Sequence, residues 1–397
     1  MSEKVLIAGV GMIPFKKPGQ SESYDVMGGK AALNALADAG IDYRLIEQAY
    51  GGYVHGDSCC AQAALYHVGI TGIPIANVNN NCGSGSTAFA LAAQAVASGA
   101  AECVLALGFE QMTPGAIEMA FADRISPIKR HEDGIAELVG FSGDDFKVPP
   151  AVRMFGAQVD LVKAEYGVTD EHLAKIAVKA RRHAEFNENA IFRAPLTVEQ
   201  VLEAPPLFRG MRKLFACPPS CGAAAVIVCS PAFARKHGLR QDVQLLGGAW
   251  MSDRKSDFEG NPLDLMFRSV SRESAKLAYE RAGVGPEDID VLEVHDCFTS
   301  NEAVLYDALG LCAPGDLGRF IDEGDNTYGG KYVVNPSGGL LAKGHPLGAT
   351  GLAQITELVQ QLRGQSGVRQ VEGARTALQH NAGLGSAGFV HIFQKTA

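Results

Sequence analysis

Tryptophan is nearly absent from this chain, at one residue, and aromatic residues together make up only 7% of it. No apolar run reaches the roughly 18 residues that a membrane-spanning helix needs. The opening Met1 to Lys4, followed by the apolar stretch Val5 to Val10, is too short for a signal peptide and reads as a strand. A basic excess is also missing. The balance of 44 acidic against 35 basic residues, net charge -9, excludes a general nucleic-acid binder, which must offer phosphates a basic face. Metal-type spacing is missing too. The nine cysteines are an odd number with no evident framework; Cys59 and Cys60 are adjacent, Cys217 and Cys221 four apart, and no C-x-x-C occurs. Reduced thiols and no metal are expected. Phosphate-loop signatures fail as well: Lys343 is not followed by Ser or Thr, and Gly9-Val10-Gly11 meets Pro14 where a dinucleotide fingerprint wants glycine. The end, Gln394 to Ala397, does not resemble the Ser-Lys-Leu address, so a cytoplasmic location is expected.

What is present is a chain of 397 residues, 47% hydrophobic and 20% charged, with Gly 46 against Pro 18. This is the composition of a globular α/β enzyme rich in tight turns, long enough for two domains or two halves with an insertion. It repeats itself. Lys30 to Ala49 is an Ala/Leu helix stopped by Gly40 and followed by an apolar run; Ala275 to Leu292 repeats this, with its stop at Ala282-Gly283-Val284. Val78 to Gly99 passes from a strand end through Cys82-Gly83-Ser84-Gly85 into an Ala-rich helix, and Val334 to Gly364 does the same through a longer Gly-rich loop holding His345. Each half adds a strand, Cys103 to Gly108 and Arg375 to His380. Such alternation predicts two similar parallel-sheet units, 1–115 and 236–397, with 216–235 returning to the first. Between them 116–215 differs in texture, with charged helices such as Thr169 to Glu185 and scattered prolines, and reads as an insertion covering a pocket. A pseudo-twofold arrangement would bring the helix N-termini after Cys82 and His345 to one crevice.

Cys82 sits in Asn79-Asn80-Asn81-Cys82-Gly83-Ser84-Gly85. Glycines permit a sharp turn and a helix start lowers a thiol pKa, so a thiolate nucleophile fits here. Alone, Cys82 would read as a small buried cysteine; its Asn and Gly neighbours, poor core formers, shift the balance. His295-Asp296-Cys297-Phe298 follows the apolar run Ile289 to Val294 at a strand end, and residues two apart on extended backbone point the same way. His345 lies in Ser337 to Gly348, a glycine-dense loop stiffened by Pro346. His380-Asn381-Ala382-Gly383-Leu384-Gly385 closes the second-half strand and could offer backbone N–H groups to an oxyanion. His67, His172 and His183 lack such settings and read as surface or structural.

Together these stretches resemble the thiolase family, specifically the sterol-carrier-protein type, from Val5 to Phe393: NVNNNCGSGST around Cys82, EVHDCF at 293–298, GDNTYGGKYVVNPSGGLLAKGHPLGATGLAQ at 324–354 and ALQHNAGLG at 377–385. The match is weakest at 116–215, where Met154-Phe155-Gly156 is among the few similar positions. The resemblance implies two duplicated βαβαβαββ halves in α/β/α/β/α layers with an inserted loop domain. It implies Cys82 as acylated nucleophile, His345 as the group taking its proton, and Cys297 as acid/base in place of the C-terminal cysteine, whose position is Asn381 here. His295 with His345, and the N–H groups of Cys82 with Gly383, would form two oxyanion holes. Met154, Phe155, Phe298 and Asn381 are the candidate CoA or substrate contacts. The activity implied is CoA-dependent cleavage of 3-oxoacyl-CoA, with CoA as co-substrate, no covalently bound cofactor, and a homodimer or homotetramer. Cys221-Gly222 departs from the family's Asp-Gly, and Cys217 stands near a pantetheine-contacting serine of other thiolases. An appended sterol-carrier domain is not expected. A ketoacyl synthase, an aldolase-like relative and a non-catalytic lipid carrier are the rivals; the first has no need of Cys297, and the other two need neither cysteine.

Overall fold

The structure, a computed structural model, describes residues 3–115 and 123–396. The first seven positions of the expected insertion, 116–122, lie outside the described residues, as do 1–2 and 397. The first half runs β1 (Val5–Met12), α1 (Tyr24–Ala39), β2 (Gln48–Gly52), α2 (Cys60–Tyr66), β3 (Ile75–Val78), α3 (Ser84–Ala97) and β4 (Cys103–Glu110). Next come α4 (Lys129–Val139), α5 (Pro150–Tyr166), α6 (Asp170–Ala184), α7 (Val198–Leu202) and the short strands β5 (Pro206–Phe208) and β6 (Met211–Arg212). Then β7 (Gly222–Cys229) returns to pair antiparallel with both β1 and β4. After α8 (Pro231–His237), the second half runs β8 (Val243–Met251), α9 (Ser269–Ala282), β9 (Val291–Glu293), α10 (Thr299–Ala308), α11 (Leu317–Asp322), β10 (Val333–Val334), α12 (Gly339–Ala342), α13 (Thr350–Arg363), β11 (Thr376–Gly383) and β12 (Ala387–Lys395).

Among the described residues the large sheet is ordered β10-β9-β11-β12-β8-β1-β7-β4-β2-β3. The order is a palindrome of the repeat: β1, β2, β3, β4 and β7 of one half correspond to β8, β9, β10, β11 and β12 of the other, with the same parallel and antiparallel pairings. The halves meet edge to edge at Val5↔Leu245 and Leu6↔Gln244. Strand alternation sorts side chains between layers. Cys103, Leu105, Leu107 and Phe109 of β4 face α1 and α2 on the outside, whereas Val104 and Ala106 face a central core with α3 and α13. On the far side α9 and α10 cover the second half in a core that also takes in α5 and α6. The result is the layered α/β/α/β/α order. Both α1 and α9 end where Gly40 and Gly283 adopt left-handed backbone, φ 71° and 67°.

The central helices approach closely at their starts. A Cβ on Gly85 would sit 2.5 Å from the carbonyl oxygen of Gly348, and one on Gly351 would collide with Ser86, so both positions need glycine. That contact draws the loop before α3 and the loop before α13 to one place.

Candidate active site

Cys82 is held by a turn that the asparagine run builds. Asn81 takes left-handed backbone, φ 52°, a conformation Asn tolerates. Its N–H donates to Asn79 Oδ1 at 2.9 Å; the Ser84 hydroxyl donates to the Asn81 carbonyl at 2.7 Å and accepts from the Asn80 N–H at 3.0 Å. Cys82 is 5% exposed, and its thiol donates weakly to Asn81 Oδ1 at 3.6 Å. Burial, then the nearby Glu110 carboxylate, push its thiol up to about 12, while the backbone N–H groups of Leu384 and of Cys82 itself pull the other way. The lowered pKa expected from a helix start is therefore not the resting state: desolvation outweighs the dipole. The second N–H at the sulfur belongs to Leu384, one residue beyond the expected Gly383. Gly383 packs so tightly on the Asn80–Gly83 turn that a Cβ there would strike the Asn80 carbonyl.

His345 and His295 complete the cluster. One donor atom each from Cys82, His295 and His345 lie within 4.8 Å of one another, all buried. The imidazole rings stand at 88° with centroids 5.1 Å apart. Thr350 Oγ lies 2.7 Å from His345 Nδ1 and gives its own proton to the Pro346 carbonyl at 2.9 Å, so Nδ1–H must donate to it. That leaves His345 Nε2 as a bare lone pair, buried with no protein partner. Burial lowers His345 to about 3, and it lowers His295 too, reinforced by the neighbouring His345. Cys297, on the same pocket wall, is pushed well up by burial and by the nearby Cys217 and Cys82 sulfurs.

Cys82, Cys217, His295, Cys297 and His345 open into one cavity of about 720 Å³, roofed by Ala151, Val152 and Phe155 of α5, Ala177 and Arg181 of α6, and Phe192, Leu196 and Leu207. Phe155 and Phe298 line it with rings stacked at 4.2 Å, and Phe267 extends the stack at 6.0 Å from Phe155. Two expected contacts are not there. Met154 faces a separate small cavity with His131 and Ile135, because neighbours on a helix point about 100° apart and Phe155 takes the inward direction. Asn381 is fully buried behind the wall, with its Nδ2 on His295 Nδ1 at 2.9 Å.

Sequence reasoning missed several groups. Arg181 and Lys213 bring positive charge to the cavity, Arg181 with its guanidinium over the Phe192 ring at 4.2 Å; the basic last turn of α6, Arg181-Arg182-His183, is the one visible signal for Arg181. Cys217, which the sequence placed only near a pantetheine contact, lies opposite Cys297, its N–H donating to the Cys297 carbonyl at 2.9 Å. Phe267 is held at φ 76°, a costly conformation for a bulky residue. The kink frees carbonyls that His131 takes at Leu265, 3.0 Å, and Gln158 at Met266, 3.1 Å.

Glu110 is the hidden organiser. Its buried carboxylate accepts from the N–H groups of Val54 at 3.1 Å, His55 at 2.9 Å and Gly348 at 3.0 Å. It thus ties the end of β4 to the turn after His345. Glu110→Ala is expected to strand these donors and cost about 3 kcal/mol or more, read as a lowered denaturant midpoint, with turnover falling alongside. An unchanged midpoint would show that water replaces the carboxylate.

Comparison with known proteins follows this geometry. Residues 5–203 match the family model "Thiolase, N-terminal domain" and residues 260–395 match "Thiolase C-terminal domain-like". The chain is 47% identical to Sterol carrier protein 2 of Oryctolagus cuniculus over 98% of its own length and 72% of that protein. It is 35% identical to a benzoylsuccinyl-CoA thiolase subunit of Thauera aromatica, covering 97% of this chain and 96% of that one. Among solved structures, the Ltp2-ChsH2(DUF35) aldolase superposes with TM-score 0.81 at 25% identity, covering 99% of this chain and 98% of that one.

Proposed function

Since the chain belongs to the thiolase family and is an acyltransferase by that membership, we propose that it cleaves 3-oxoacyl-CoA with free CoA through a Cys82 acyl-enzyme. The observation that carries this reading is the convergence of Cys82, His295 and His345 within 4.8 Å at a cavity that also holds Cys297. His345 Nε2, the bare lone pair, takes the Cys82 proton, and the thiolate attacks the β-carbonyl. The tetrahedral oxyanion is stabilised by the backbone N–H groups beside the sulfur, those of Cys82 and Leu384. Collapse expels the enolate of acetyl-CoA or propionyl-CoA, whose oxygen is held by His295 and by the now protonated His345. Cys297 gives the enolate carbon its proton. The resulting Cys297 thiolate takes the proton of incoming CoA, which attacks the thioester; the Cys82 sulfur leaves and recovers its proton from His345.

The apolar roof and the phenyl stack suit a bulky, branched or sterol-like acyl tail, and Arg181 and Lys213 suit the CoA phosphates. The described part of the insertion, 123–215, serves as the covering element over the cavity between the two units. β3 is an edge strand with Tyr66 and Ile70 exposed nearby, which supports a homodimer or a dimer of such dimers. Among the described residues no helix is long and apolar enough to cross a membrane.

The aldolase likeness favours a second reading, carbon–carbon cleavage without thiol transfer. The two separate on CoA dependence. Incubated with a 2-methyl-branched 3-oxoacyl-CoA, the protein is expected to gain the acyl mass on Cys82 and to turn over only when CoA is added. Cleavage without CoA and without an adduct would support the aldolase, and no reaction at all would support a carrier.

A further inference from the structure

A hydrogen-bonded chain behind the active-site wall runs in one direction toward His295. It starts at a fixed point, the backbone carbonyl of His380, which can only accept; Gln354 Nε2 donates to it at 3.1 Å. Gln354 therefore turns Oε1 toward Gln379, whose Nε2 donates to that oxygen at 2.9 Å and to Ser86 Oγ at 2.9 Å. The Ser86 hydroxyl, which accepts there with one lone pair, gives its proton to Asn381 Oδ1 at 3.0 Å; this places the Asn381 amide with Nδ2 toward His295 Nδ1, to which it donates at 2.9 Å. His391 Nδ1 at 2.7 Å from Gln379 Oε1 fits the same orientation, because that oxygen accepts. An amide NH2 has no lone pair to offer. His295 Nδ1 must then be unprotonated, with the ring proton on Nε2. His345 is held in the opposite tautomer by Thr350.

This matters because Cys82, His295 and His345 form a compact, buried set of sulfur and nitrogen donors of the kind that zinc takes. We infer that Asn381, oriented through Gln354, Gln379 and Ser86, is a positioning residue that locks the His295 proton on Nε2, which makes this imidazole a donor to substrate oxygen and denies its lone pair to a soft divalent cation. The catalytic half of the inference rests on the thiolase reading; the metal half does not. Ser86 belongs to α3 of the first half, whereas Gln354, Gln379, Asn381 and His295 belong to the second, so the lock closes only when the halves are docked.

N381D is the decisive variant. A carboxylate oxygen in place of the NH2 accepts from Nδ1–H, moves the ring proton and frees Nε2, giving the carboxylate–histidine–metal arrangement that typically adds about 10- to 100-fold in metal affinity. Titrated with Co2+, N381D is expected to develop thiolate-to-cobalt charge-transfer absorption at a concentration at least about tenfold below that needed by the wild type. Its thiolysis is expected to fall roughly 100- to 1,000-fold, the cost of one lost oxyanion donor. N381A loses turnover without the full gain in cobalt binding, which separates tautomer control from mere packing. Should N381D fail to fold, long-range 1H–15N spectra of histidine-labelled wild-type protein decide: the proton is expected on His295 Nε2. A proton on Nδ1, or equal cobalt binding by wild type and N381D, overturns the inference. A wild type that shows the Nε2 proton but never cleaves 3-oxoacyl-CoA overturns the thiolase reading alone.

Discussion

Cys82→Ala is expected to remove acyl-enzyme formation altogether and to lower thiolysis by on the order of 10⁵-fold, as loss of a covalent nucleophile does elsewhere. The fold should survive. The one hydrogen bond from the Cys82 thiol to another side chain is weak, 3.6 Å to Asn81 Oδ1, and the turn around it is tied by Asn79, Asn80, Asn81 and Ser84 rather than by the sulfur. The Leu384 N–H and the two imidazoles also stay in place, so acyl-CoA should still bind. Single-turnover mass spectrometry and calorimetric titration with a 3-oxoacyl-CoA check both halves. Turnover within tenfold of wild type would sink the covalent mechanism, and loss of acyl-CoA binding would mean that the residue shapes the cavity instead.

The second large effect is expected at Cys297. Cys297→Ala should lower thiolysis by roughly 100- to 10,000-fold, the range of a lost acid/base. It should also abolish exchange of acetyl-CoA α-protons with deuterated solvent, because that exchange isolates the proton transfer at carbon. Cys217 supplies the control. It lines the same cavity and lies opposite Cys297, and its thiol is likewise pushed up by burial. Cys217→Ala should keep α-proton exchange within a few-fold of wild type. If the two variants exchange roles, the acid/base is Cys217; if both leave thiolysis intact, the chemistry is that of a condensing enzyme without a second thiol.

The parts of this architecture legible in the sequence are those encoded locally and twice. The Ala-rich helices with glycine stops at Gly40 and Gly283 betrayed the duplication, and the glycine-rich loops before α3 and α13 marked the shared crevice. The candidate catalytic residues carry their own punctuation of Gly, Asn and Pro. What stayed hidden depends on contacts between distant segments. Nothing local distinguishes Met154 from Phe155 as the inward side chain of α5, because that choice is set by the docking of α5 against α10 and the Phe267 kink. Asn381 looked like a ligand contact because it replaces a reactive cysteine in a reactive-looking motif; its true neighbour, Ser86, lies 295 positions away. The pKa of Cys82 was misjudged for the same reason: the helix start is local and visible, whereas the surrounding wall and Glu110 are neither.

The seam between the halves gives this molecule one more property. Besides the packing of the central helices, the two halves of the sheet pair at only two positions, while sulfur and imidazole face each other across the same divide. A slippage too small to unzip any strand already widens the gap that a proton must cross. On the proposed mechanism, turnover is expected to register a loosened joint between the two repeats before spectroscopy detects any lost helix.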